Sequence, residues 1–154
     1  MTPDLVVLGR RAVACRVWEW RPGMQINTFD ANLPSWRIVQ RDRTGKPAWL
    51  AYAPSGVDYL LTDTEMAADW LPDLSDAATL GCLLALVREA WQPREEFRSW
   101  MSVGWSSSSN QHEVFSGRFG VTFATGKTEA EALVAALEMV GRATGGGRRL
   151  RSTG

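Results

Sequence analysis

The single histidine of this chain, His112, sits behind four consecutive serines, Ser106 to Ser109, and ahead of Glu113. Hydroxyl, imidazole and carboxylate are the parts of a nucleophilic relay. A serine becomes a nucleophile only when its base is oriented by a third group, and no Gly-x-Ser-x-Gly elbow frames these serines. His112 is therefore expected to be an exposed residue at the start of a strand. Gly126-Lys127-Thr128 invites a phosphate-loop reading. That motif needs a glycine five residues before its Gly-Lys pair, where this chain has Val121; Gly120 comes one place too early. Residues 121–125 have the pattern of a strand, and Glu129 and Glu131 would repel a phosphate from the following helix start. Glu95-Glu96 and Asp73/Asp76 are carboxylate pairs of the solvated or capping kind. One histidine and two distant cysteines, Cys15 and Cys82, do not make a zinc site. No catalytic set, metal or cofactor is expected.

The tryptophans are the compositional anomaly: Trp18, Trp20, Trp36, Trp49, Trp70, Trp91, Trp100 and Trp105. A sheet covered on both faces absorbs many of them. Tryptophan beside arginine is also the composition of binding hot spots and of base-stacking platforms. The cluster expected to bind draws on Trp18, Trp20, Trp36 and Trp49, flanked by Arg16, Arg21 and Arg37, with Trp100 on the outer face of its strand.

The 17 basic and 17 acidic residues cancel, and the isoelectric point is about 6.6. Such a chain lacks the field of a dedicated nucleic-acid binder or of a protein lying on anionic membrane. No run approaches the roughly 18 apolar residues of a membrane span, and the acidic start Met1-Thr2-Pro3-Asp4 has no secretory layout. Two lone cysteines suit free thiols in a reducing compartment. A cytoplasmic location is expected.

The elements that must position these residues follow from periodicity. Helix one is expected from Thr2 to Cys15, with Thr2 as cap, Pro3 in the first turn, and Leu5, Leu8, Ala12 and Cys15 inward. Residues 16–21 alternate, which predicts a strand placing Trp18 and Trp20 on one face. Strands at 35–40 and 48–53 flank a polar hairpin link, and a short piece at 57–61 can pair. Helix two is expected from Ser75 to Trp91, inward at Ala77, Leu80, Leu84, Val87 and Trp91, with Leu83 and Leu86 widening the stripe. Its breadth of apolar surface hints at a homodimer. Strands at 98–105 and 113–124 follow, the first placing Met101, Val103 and Trp105 together. Helix three opens at Thr128 with a Thr128/Glu131 capping box, and Leu133, Leu137 and Val140 face inward. The fold class is α+β: an antiparallel sheet packed with about three helices in a layered α/β/α-like sandwich. One domain is expected over 1–141, divisible near Thr62–Pro72 into units 1–62 and 70–141. A basic Gly/Arg tail, 142–154, ends the chain.

The stretch "LPDLSDAATLGCLLALVREAW", the apolar hairpin after it, and "GRFGVTFATGKTEAEALVAALEMV" with its "TEAEAL" helix start resemble the phage ABA sandwich domain family over roughly Leu71 to Gly141. The resemblance implies phage or prophage origin and a layered architecture, and it carries over no catalytic residue. It implies a non-catalytic counter-defence protein, anti-CRISPR-like or similar, that blocks a host defence protein. A sequestering protein for a nucleotide-like signal and a virion assembly protein are the alternatives.

Overall fold

A computed structural model of the chain describes residues 2–28, 35–41, 48–52, 56, 58–62, 70–91, 101–116 and 120–145. Three helices and eight strands lie among them: α1 (Pro3–Val13), β1 (Gln25–Thr28), β2 (Trp36–Arg41), β3 (Ala48–Tyr52), β4 (Asp58–Thr62), β5 (Trp70–Pro72), α2 (Ala77–Ala90), β6 (Met101–Ser106), β7 (Gln111–Ser116), β8 (Val121–Gly126) and α3 (Glu129–Gly145). The α+β class and antiparallel pairing are as expected, but the strands form two sheets. One has the order β4-β3-β2-β1-β5, the other β6-β7-β8.

Local chemistry starts each helix. Thr2 accepts the Leu5 amide of α1 through its hydroxyl, with Pro3 in the first turn. Leu8 and Ala12 are buried, and Leu5 and Cys15 pack against the core as their spacing required. The N-cap of α2 is Asp76, one residue later than the expected Ser75. Ser75 instead gives its amide and hydroxyl to Asp73. At α3, Thr128 accepts the Glu131 amide at 3.2 Å, and Glu131 accepts the Lys127 amide at 2.7 Å. The cap bond is the one read from sequence, but the return bond goes to the Lys127 amide and not to that of the cap Thr128, so the box is offset by one residue.

Three expectations are corrected. Residues 16–21 join no sheet: two turns follow α1, closed by Cys15 N–H to Ala12 O and Trp18 N–H to Cys15 O, and the ladder begins only at Gln25. The stretch 113–124 is not one strand but parts of two. β7 and β8 pair antiparallel through a turn containing Gly120, whose φ of +61° suits glycine. In α2 the expected Leu83, Leu86 and Val87 are buried together with Thr79, and Leu80, Leu84 and Trp91 pack half-buried against the core, but Ala77, expected inward, is exposed. The face left outside carries alanine and glycine, so it lacks the large side chains that made a homodimer attractive. β5 adds an edge strand beside β1, and β4 confirms the short pairing piece. The expected link at 42–47, residues 98–100 and the tail from 146 fall outside the described residues.

One continuous apolar core joins both sheets and all three helices. Register builds its first wall. Ile26 faces Trp36 across β1–β2, and Ile38 faces Ala51 across β2–β3, all four buried. Trp36 and Ile38, two apart on β2, thus share its core face. α3 runs against α1, α2, β7 and β8, burying Leu133, Val134, Leu137 and Val140. Arg11 and Glu138 tie α1 to α3 through a two-bond ion pair at 2.9 and 3.0 Å.

Candidate functional site

The segment after α1 is held against α2 by three devices. Trp18 and Trp20 meet edge to face, with ring centroids 5.2 Å apart. The Arg21 guanidinium donates to both carboxylate oxygens of Glu89, one contact at 2.8 Å, and to Glu19 at 3.4 Å. Pro22-Gly23 then turns the chain, closed by Met24 N–H to Arg21 O. Gly23 has a φ of +98°, and its Cα faces the Cys82 sulfur. The Cys82 thiol donates to the Pro22 carbonyl at 3.6 Å. Burial pushes that thiol above its ordinary range. The Arg21 guanidinium is held more firmly protonated by Glu89, then opposed by its own desolvation.

Between this segment and α2 lies an open groove of about 670 Å³. One wall is Glu19, Trp20, Arg21 and Pro22. The other is Ala78, Gly81, Cys82 and Ala85, spaced three and four apart and so on one helical face. That face is the reverse of the buried Leu83/Leu86/Val87 stripe. Its small side chains make the depression, and a Cβ added at Gly81 would meet nothing within 4 Å. At the rim Arg21 is bound by Glu89 and, at 3.4 Å, by Glu19, whose side chain is 59% exposed.

Only part of the expected cluster converges here. Trp18, Trp20 and Arg21 are together, but Trp20 is a buried wall and Trp18 half-buried core packing. Trp36 belongs to the core face of the first sheet, where its ring meets Trp70 at 6.3 Å. Arg37 points from the opposite face of β2 to the N-terminus of α2. It donates to both oxygens of Asp76 at 2.9 and 3.2 Å, to Gly23 O at 2.6 Å and to Gln25 Oε1 at 3.0 Å. Arg37 thus joins elements of the fold and does not present a free charge. Arg16 is exposed. The Trp49 side chain and all of Trp100 lie outside the described residues. Trp105, expected inward with Met101 and Val103, is 55% exposed at the end of β6, because the helix layer covers Met101 but not the strand's far end.

The serine–histidine grouping is not wired as a relay. Ser109 donates its hydroxyl to Glu113 at 2.6 Å, and the His112 and Trp105 rings meet nearly perpendicular, with centroids 5.2 Å apart. Among the described residues no hydrogen bond joins His112 to a serine. At Gly126-Lys127-Thr128, the Glu131 carboxylate occupies the amide that a phosphate would need. No group of three potential metal ligands occurs among the described residues, and no helix there is long and apolar enough to cross a membrane. The groove residues Ala78, Gly81 and Ala85 do not stand out in the sequence, because α2 is apolar nearly all round. Alanine and glycine recurring at three- and four-residue spacing opposite the leucines was the available signal. No protein-family model, curated protein or solved structure matches this chain.

Proposed function

We propose that this chain is a non-catalytic binding protein that takes an apolar side chain of a partner protein, flanked by a lysine or arginine, into the groove beside α2. The groove itself carries this reading: small residues on one helical face, an aromatic wall opposite, and the exposed Glu19 carboxylate at the rim. An apolar residue entering it removes surface from water on both sides, and a basic neighbour meets Glu19 at the rim. The resemblance to phage ABA sandwich domains adds the class of partner, a host defence protein, and the role, counter-defence inhibition in the bacterial cytosol. A nucleotide-like ligand is the less favoured occupant, since Arg21 and Arg37 are both engaged by carboxylates and the rim would repel phosphate.

Gly81→Trp fills the groove without meeting neighbouring atoms at its Cβ. Wild-type protein is expected to hold one bacterial partner through purification and to rebind it after separation. The variant is expected to lose that complex while its melting temperature stays within about 4 °C, the range of a change of about 1 kcal/mol. Undiminished binding by a folded Gly81→Trp protein overturns the proposal.

A further inference from the structure

Among the described strands, β4 and β5 stand at the edges of one sheet, β6 and β8 at the edges of the other. An edge strand offers unpaired N–H and C=O groups to any strand that meets it, and folds blunt such edges with charge, proline, bulges or brevity. β4 begins with Asp58, β5 has three residues and ends in Pro72, and the β7–β8 ladder is broken by a register shift. β6 has none of these. Its six residues pair with β7 in unbroken register, Met101↔Ser116 through Ser106↔Gln111. The chain carries no Lys, Arg, Asp or Glu from Met101 to His112. Arg88 donates to the Met101 carbonyl at 2.8 Å, so Met101 turns its backbone groups away from β7. By alternation Val103 and Trp105 do the same. Among the described residues neither has a hydrogen-bond partner on that side.

A second copy of this chain fits that edge. Set antiparallel about a two-fold axis at Gly104, β6 places Val103 opposite Trp105 of the second copy, and Trp105 opposite its Val103. Each of these pairs exchanges two N–H···O bonds, so the free N–H and C=O of Val103 and of Trp105 are all used. Gly104 meets Gly104 on the axis as a non-hydrogen-bonded pair, where strands come closest, Cα to Cα about 4.5 Å. Neither glycine has a side chain to obstruct. The Trp105 indole, 55% exposed, lies across from a β-branched valine, a favourable cross-strand pair, and no like charges oppose each other. The helix layer leaves the edge open, since α3 lies over β8 and β7 more than over β6. A foreign strand would match the same backbone groups. Valine against tryptophan twice over, with glycine on the axis, favours a copy. We propose that two copies of this chain pair through β6 into a continuous antiparallel sheet, with Val103 and Trp105 as the pairing residues. This interface is separate from the groove beside α2 and does not rest on the reading given to it.

Sedimentation velocity of the full chain over a dilution series is expected to show a reversible monomer–dimer equilibrium. Val103→Pro removes an outward N–H at a position where an edge strand tolerates proline, and should weaken the dimer about tenfold or more. Trp105→Ala should weaken it by a smaller factor, a few-fold. In a Cys15→Ser/Cys82→Ser background, Gly104→Cys sets two thiols on the axis at a Cα separation within the range a disulfide spans, about 4.4–6.8 Å. Mild oxidation should then crosslink that protein, while Ser108→Cys, in the turn and away from the axis, stays uncrosslinked. A chain still monomeric at about 1 mM, a dimer unmoved by Val103→Pro, equal crosslinking through Ser108→Cys, or a monomer whose β6 pairs only with another protein's strand each overturns the proposal. Should the variants fail to fold, hydrogen exchange of the wild type decides. The Val103 and Trp105 amides are expected to become protected as concentration rises through the dimerisation range, and amides that exchange equally fast throughout overturn the pairing.

Discussion

Replacing Asp76 tests how the first sheet is fastened to α2. Its carboxylate caps the helix by accepting the Thr79 amide at 2.8 Å, accepts the Thr79 hydroxyl at 2.9 Å, and takes two hydrogen bonds from Arg37. Losing an N-cap costs about 1 kcal/mol. The Arg37 side chain is 41% exposed, so water screens the pair and its loss adds no more than about 1 kcal/mol. Asp76→Ala is thus expected to destabilise by about 2 kcal/mol, lowering the melting temperature by about 4–8 °C. Asparagine caps about as well as aspartate, so Asp76→Asn should lose only the ion-pair share, about 1 kcal/mol or less. Urea unfolding of the three proteins at pH 7, followed by circular dichroism, reads both steps. Arg37 holds the Asp76 carboxyl below the usual carboxylate range, against desolvation. A depressed folded value means stabilisation that is complete above the unfolded value and lost as pH falls through the folded one. The gap between wild type and Asp76→Asn should therefore be constant from pH 7 to about 5 and close below about pH 4. An alanine variant within about 0.5 kcal/mol of wild type, the scatter of ordinary surface substitutions, or an asparagine variant as costly as alanine, refutes the assigned roles.

Two glycines should respond in opposite directions to alanine. At Gly126 the added Cβ would lie 2.5 Å from the Ala132 nitrogen and 2.6 Å from the Glu131 Cβ, so the first turn of α3 must shift, at about 1–3 kcal/mol. At Gly81, exposed and unobstructed on α2, alanine should stabilise by about 0.5–1 kcal/mol. Thermal unfolding of the two variants checks both signs, and equal shifts would refute the assigned packing. Burial holds the Cys15 and Cys82 thiols above their ordinary range. Because the thiolate is the nucleophile, both should react with Ellman's reagent at pH 8 more slowly in the native protein than in urea; equal rates would contradict the burial.

Much of the framework was legible in the chain. Thr2-Pro3-Asp4 and Thr128-Glu131 mark helix starts through bonds spanning three or four residues, and such contacts need no knowledge of the rest of the molecule. The stripe Leu5, Leu8, Ala12, Cys15 names a buried face for the same reason. Alternation placed Trp18 beside Trp20, and their rings do meet. It failed to say whether that segment joins a sheet, because extended chain becomes a strand only when another strand supplies its hydrogen bonds.

Sequence alone thus determined the helices, most strands, the α+β class and the absence of a recognisable catalytic motif, all properties of near neighbours along the chain. Tertiary structure decided the rest. Arg21 and Arg37 looked like binding charges, yet their carboxylates come from residues 68 and 39 positions away. Helix α2 is apolar on several sides, and only the arrangement of its neighbours buries Leu83, Leu86 and Val87 while leaving Ala78, Gly81 and Ala85 to line a groove. Trp105 alternates with core residues but lies where the covering layer ends. A side chain's environment is set by whatever folds against it, and for these residues that partner is distant in sequence.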